Sequence, residues 1–214
     1  CEEAFAALAG GGTELIVEAF VPFVKELSVI AARNPAGEIA VFPAAENVHV
    51  DNILHLSIVP AHAAADVLRK AEQIARRIAE QLNVIGLIAV EMFLTADGEL
   101  YVNELAPRPH NSGHYTLDAT VCSQFEQHVR AICNLPLGST RLLSPVVMVN
   151  ILGEHLQPVL AMVDSLPPTC KLHLYGKRES KPKRKMGHLN VVADTTEQAL
   201  AIIDELGIWG KVEV

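Results

Sequence analysis

The sequence predicts an α+β fold, an antiparallel sheet carrying helices and followed from about residue 140 by a small β-rich domain. Three observations predict it. Short apolar runs are separated by tight-turn dipeptides, the pattern of antiparallel hairpins. One long segment, His62–Asn83, switches to a three-to-four-residue apolar period. Near Asn134-Leu135-Pro136-Leu137-Gly138 the composition shifts, which places a boundary between a first unit at 1–138 and a second at 139–214.

Thr13–Phe20 and Lys25–Asn34 read as strands interrupted by Pro22, because proline cannot donate to a sheet ladder. Asn34-Pro35-Ala36-Gly37 is a turn, and Glu38–Phe42 returns as its partner strand. Leu54–Val59 is a further short strand. In His62–Asn83, Val67, Ala71, Ile74, Ile78 and Leu82 share one side, and Arg69, Lys70, Glu72, Arg76, Arg77 and Glu80 lie largely on the other, an amphipathic helix of about five turns. Ile85–Thr95 and Glu99–Leu105 are strands around Ala96-Asp97-Gly98, and Ser123–Asn134 is a shorter helix. Beyond the boundary, Val146–Ile151, Lys171–Tyr175 and His188–Val192 are strands, with a helical piece near Gln157–Val163. A last helix is capped by Asp194 with Glu197 three residues on and ends at Gly207.

Composition narrows the function. Of 214 residues, 50% are hydrophobic and 20% charged, enough to build a core. The net charge of −8 argues against a general nucleic-acid binder, whose affinity rests on neutralising phosphates. No apolar run reaches the ~20 residues that span a bilayer, so no membrane partner is expected. The chain opens Cys1-Glu2-Glu3 without a methionine or a basic leader, which reads as a processed or truncated product. Cys1, Cys122, Cys133 and Cys170 have neither zinc nor disulfide spacing and read as free thiols of a reducing, cytoplasmic compartment.

The segment richest in chemistry is Val90–Glu104. A two-residue turn at Asp97-Gly98 sets Ala96 opposite Glu99, Thr95 opposite Leu100, Phe93 opposite Val102 and Glu91 opposite Glu104. Like charges directly opposite are destabilising, so two such carboxylates call for a divalent cation or a shared proton, unless both simply face solvent. Asn103 falls on the other face in this register and joins the carboxylates only through a bulge. Next comes Arg108-Pro109-His110-Asn111-Ser112-Gly113-His114, an irregular stretch crowded with anion-binding and proton-donating groups. Lys177, Arg178, Lys181, Lys183, Arg184 and Lys185 concentrate six cations in an otherwise acidic chain.

These residues resemble a known family. The stretch Ile16–Glu26, the Glu91 hairpin and Asn103-Glu104 are similar to the C-terminal half of an ATP-grasp enzyme. Arg108–His114 and Arg184-Lys185-Met186-Gly187-His188-Leu189-Asn190 resemble one branch, the 5-(carboxyamino)imidazole ribonucleotide synthases of purine biosynthesis, over essentially the whole chain. The resemblance implies that Glu18, Ala19, Phe20 and Val21 form the hinge that reads adenine. It implies that Glu26 accepts from the ribose, that His49 is a further nucleotide contact, and that Glu91 and Glu104 hold Mg²⁺ (or Mn²⁺), with Asn103 and Glu104 at the ATP phosphates. Arg108, as the catalytic residue, with His110 and Asn111, surrounds bicarbonate and 5-aminoimidazole ribonucleotide. Lys177, Arg184 and Lys185 hold that ribonucleotide's phosphate. Such enzymes are commonly homodimers. They also carry an N-terminal domain and a glycine-rich lid, and Ala9-Gly10-Gly11-Gly12-Thr13 does not match that lid. The alternatives are another ATP-grasp carboxylase or ligase, and a non-catalytic nucleotide-binding assembly module.

Overall fold

A computed structural model describes residues 14–210, together with Phe5 and Leu8. The segment Ala9–Thr13 therefore lies outside the described residues. Nine strands form one sheet: β1 Phe23–Arg33, β2 Ile39–Val41, β3 Ala45–Val50, β4 Ile53–Val59, β5 Gly86–Thr95, β6 Leu100–Ala106, β7 Val146–Leu152, β8 Cys170–Leu174 and β9 Lys185–Val192. Their order is β6-β5-β1-β3-β4-β7-β9-β8, with β2 alongside β1, and every pairing is antiparallel. Because β4 pairs with β7, the strands beyond residue 140 continue the same sheet.

The central strands are covered on both faces, which explains their unbroken apolar runs. Helix α1, Ala65–Gln81, lays Ala71, Ala75 and Ala79 on Val29, Ala31, Ile88, Val90 and Met92. The small alanines allow close approach, and each large side chain buried beneath them contributes roughly 1.5–3 kcal/mol. On the other face Ile30, Ala32, Phe42, Leu87, Ala89 and Ala106 form a second layer. The short helix α2, Thr116–Ala119, leads to α3, Gln124–Ile132, which rests on β5 and β1. A third cluster joins Leu56 and Ile58 of β4 to Val147, Val149, Ile151, Leu189 and Val191, closed by α4 (Gly153–Ala161) and α5 (Thr196–Leu206).

Some expectations are corrected. Residues 14–20 of the expected strand Thr13–Phe20 are not strand: Ile16, Val17 and Phe20 are strongly exposed and pair with no strand among the described residues. Alternating apolar residues give β propensity, but a strand needs a partner ladder. Strand β3 was not expected, since Ala-Glu-Asn-Val-His-Val is too polar. It forms because β1 and β4 pair it on both sides, and Asp51 and Asn52, both at positive φ, make a two-residue hairpin into β4. The last helix is capped by Thr195, which accepts from Gln198 N–H at 3.2 Å, rather than by Asp194; Gly207 ends it at φ 63°. The helix expected near Gln157 starts a turn earlier, at Gly153.

Candidate active site

The hairpin turn is wider than two residues. Thr95 N–H donates to Glu99 O and Gly98 N–H donates to Thr95 O, each at 3.0 Å, with Gly98 at φ 86°. This moves the register by one, to Leu94↔Leu100, Phe93↔Tyr101 and Met92↔Val102, so the expected pairs at Ala96, Thr95 and Phe93 are wrong. A bulge then leaves Asn103 unpaired and restores Glu91↔Glu104. The two irregularities cancel. The carboxylates are strand partners as expected, and the bulge re-aims the chain at Asn103 beside them. Asn103 lines a cleft of about 370 Å³ with Glu18, Ala19, Phe20, Val21 and Phe93, which brings the expected hinge and the hairpin together.

The Arg108–His114 loop meets this hairpin at Glu91. His110 Nε2 lies 2.9 Å from Glu91 Oε1, with both side chains mostly buried. The hydrogen bond from His110 holds the Glu91 carboxyl below the usual range against its own desolvation, and His49 and Lys185 add positive charge nearby. A line of short contacts sets the His110 tautomer: Ser28 Oγ donates to Ser112 Oγ at 2.8 Å, and Ser112 Oγ lies 2.8 Å from His110 Nδ1. Ser112 N–H also points at Nδ1, so Nδ1 accepts and Nε2 carries the proton towards Glu91. Asn111 Nδ2 is buried without a hydrogen-bond partner, a donor in want of an acceptor. Arg108 is exposed, and its guanidinium donates to Pro109 O at 3.2 Å.

Strand β1 contributes Glu26, whose Oε2 is 3.0 Å from His49 Nδ1 on β3, so two expected nucleotide contacts stand side by side. Beside them Lys25 pairs with the buried Glu46, whose other oxygen accepts from His62 N–H at 2.9 Å.

The basic tract joins β8 to β9. Lys181 and Lys183 are spent on Glu179 and Asp51, at 2.9 and 3.0 Å. Lys177 and Arg184 instead donate to the carbonyls of Lys185 and Glu179, at 2.6 and 3.0 Å, and form no ion pair among the described residues. Lys185 is partly buried: desolvation lowers its pKa, while Glu91 raises it and Arg108 and Lys177 lower it further. It therefore sits within the field of the hairpin and the loop. Among the described residues no group of three His, Cys, Asp or Glu could hold a metal ion. A cation at Glu91 and Glu104 would complete its shell with water or phosphate oxygens, as Mg²⁺ commonly does.

Of the residues that hold this site in place, Ser112, His114 and His188 lie in the two motifs quoted from the sequence, whereas Ser28, Gln124, His173 and Asp118 were not singled out. Ser28 and Ser112 fix His110, and Gln124 binds the loop from α3. His114, His173 and His188 form a stack, with centroids 4.7 Å apart for His114 and His188 and 4.6 Å for His173 and His188. Tyr175 Oη is 2.9 Å from His188 Nδ1, and Asp118 Oδ2 is 2.8 Å from His173 Nε2. No local pattern marks Ser28 or His173, whose partners lie 84 and 55 positions away.

Comparison with known proteins shows which families and structures the chain is similar to. The ATP-grasp domain family matches residues 1–125, and the phosphoribosylaminoimidazole carboxylase C-terminal domain matches residues 146–202. The N5-carboxyaminoimidazole ribonucleotide synthase of Bacillus subtilis is 53% identical over 196 residues, covering 92% of this chain and 51% of that protein. The crystal structure of the synthetase of Thermus thermophilus superposes with a TM-score of 0.89 at 42% identity, covering 99% of this chain and 58% of that one. The Aspergillus clavatus synthase, solved in complex with ADP and 5-aminoimidazole ribonucleotide, gives 0.80 at 36% identity over 87% of this chain and 51% of its own. The chain spans about half the length of the curated relatives it matches.

Proposed function

The chain belongs to the ATP-grasp family, and from that premise we propose that it forms the C-terminal part of an enzyme that carboxylates 5-aminoimidazole ribonucleotide with bicarbonate and ATP. The observation that carries this reading is the convergence at Glu91. Its strand partner Glu104, the His110 loop with Arg108 and the unpartnered Asn111 amide, and Lys185 from β9 all gather around it. We divide the chain at residues 138 and 139, in keeping with the two domain families matched on either side.

In the proposed reaction a bicarbonate oxygen attacks the γ-phosphorus, ADP leaves, and carboxyphosphate forms. Its carbon–oxygen bond then breaks to release phosphate and carbon dioxide, which the exocyclic amine of the ribonucleotide captures. Glu18–Val21 would border the adenine, Glu26 the ribose, and His49 the nucleotide between them. Glu91 and Glu104 suit Mg²⁺ or Mn²⁺, which when bound neutralises charge on the transferring phosphoryl group. Arg108 and Asn111 offer donors to the carboxyphosphate oxygens, stabilising charge in a partly desolvated site. His110, with its Nε2 proton directed at Glu91, stands beside that site, and Lys177, Arg184 and Lys185 provide fixed positive charge for the ribonucleotide's phosphate.

We also infer a cytoplasmic setting, supported by the free thiols of Cys122, Cys133 and Cys170. A homodimer fits the exposed Phe125, Val129 and Ile132 on one side of α3. The test is ATP cleavage by the full-length protein. It should depend on both bicarbonate and 5-aminoimidazole ribonucleotide, and Glu91→Gln or Glu104→Gln should raise the Mg²⁺ needed for half-maximal rate at least tenfold. Nucleotide binding without turnover, or turnover with another acceptor, would overturn the reading.

A further inference from the structure

Gln124 is the first residue of α3, wholly buried, and its side chain is used in full. Its Oε1 accepts from His110 N–H at 2.9 Å and its Nε2 donates to His110 O at 2.8 Å, so one amide pairs with both main-chain groups of His110 as a neighbouring strand would. The second Nε2 proton points at His114 Nδ1, 3.0 Å away. Thr116 Oγ1 accepts Gln124 N–H at 2.9 Å and donates to Gly113 O at 2.6 Å, which fastens the clamp to the same loop. Burial keeps His114 neutral, with its pKa lowered to about 4, so its Nδ1 is free to accept. The loop packs closely on the clamp at this point: a Cβ on Gly113 would meet Ile30 Cδ1 at 2.1 Å and Gln124 Oε1 at 2.8 Å.

We propose that Gln124 is a positioning residue for the carboxylation chemistry, holding the His110 main chain so that the ring's Nε2 faces Glu91. Gln124 meets none of the reacting groups; it acts through His110. The inference rests on the function proposed above. Displacement of catalytic groups by about 1 Å lowers rates on the order of 100-fold, so the effect should fall on kcat and not on nucleotide affinity.

The test is a double-mutant cycle in the full-length protein, with bicarbonate- and ribonucleotide-dependent ATP cleavage as the assay. Gln124→Met, close in length but unable to hydrogen-bond, should lower kcat roughly 10- to 100-fold and leave the KM for ATP within about twofold. In a His110→Ala background, where Gln124 still holds the main chain but no ring is left for it to aim at Glu91, the same change should lower kcat by less than about threefold. An equal factor in both backgrounds, or undiminished kcat in Gln124→Met, overturns the proposal. If Gln124→Met lowers the folded fraction, Gln124→Glu, which keeps the length and the acceptor for His110 N–H, carries the same cycle with the same two outcomes. A wild-type protein without this turnover would instead refute the function on which the inference rests.

Discussion

Replacing Gly113 by alanine adds one methyl group to the tightest point of the candidate site. On the native backbone that carbon would lie 2.1 Å from Ile30 Cδ1, 2.8 Å from Gln124 Oε1 and 2.9 Å from Gln124 Cδ. Neither neighbour can swing into solvent: Ile30 is 3% exposed within the layer of Ala32, Phe42 and Leu87, and Gln124 is 0% exposed. Overpacking of this kind costs about 1–3 kcal/mol. If Gln124 moves, its two bonds to His110 add about 1 kcal/mol each. The expected loss is therefore about 1–5 kcal/mol, which lowers the thermal midpoint of a chain this size by roughly 2–20 °C. Thermal unfolding of the 214-residue chain, followed by circular dichroism, measures it. Repeating the substitution in an Ile30→Val background, which removes Cδ1, should recover a large part of the loss. A midpoint within about 2 °C of the parent, or an unchanged penalty in the Ile30→Val chain, would refute the account of why a glycine stands here.

In the full-length protein, Arg184→Ala should weaken 5-aminoimidazole ribonucleotide binding by about 1.5–3 kcal/mol and ATP binding much less, and equal changes in the two Michaelis constants would contradict the assignment. The 214-residue chain by itself should fold yet show no significant carboxylation, since phosphoryl transfer needs the γ-phosphate gripped from both sides; turnover within about tenfold of the full-length protein would show otherwise. Burial lowers the pKa of His114 to about 4 and of His188 to about 3, both from 6.5. The unfolded chain then binds more protons in that interval, so the stability these residues confer is complete above about pH 7 and drains away as the pH falls from 6.5 towards 3. Midpoints measured across that range at constant ionic strength should fall with pH, and nitrogen shifts of His188 should report a neutral ring at about pH 5.

What was legible in the sequence is what is local. The amphipathic period of α1, the Asn34–Gly37 turn and the αL glycine at the end of α5 each depend on a handful of neighbouring residues, and each appears where expected. The pairing of Glu91 with Glu104 was reached by counting back from a turn that was read as too short. It survives only because the bulge at Asn103 adds the missing residue. Strand β3 was hidden because its polar residues are satisfied at a distance: Asn47 Oδ1 accepts from Ser57 Oγ at 2.8 Å, and Glu46 takes Lys25 and His62. Gln124 was hidden for the same reason. Nothing in its neighbourhood announces that its amide will be spent on a loop ten to fourteen residues away.

The histidine stack explains how a cationic tract can approach the hairpin at all. His114 comes from the Arg108 loop, His173 from β8 and His188 from β9, so the stack is the seam between the loop and the strands that frame the basic tract. Charged imidazoles there would repel Lys185, whose own charge already depresses His114. Desolvation is the first cause of the low pKa of both His114 and His188, and the rings stay neutral because the fold buries them against one another. Tyr175 continues the arrangement: its hydroxyl meets His188, and its ring lies 5.4 Å from Lys177 Nζ. His114 and His188 therefore contribute packing and hydrogen bonds without positive charge. Positive charge is concentrated instead on Lys177, Lys185 and Arg108, which act on one another close to Glu91, as the proposed binding of anions there requires.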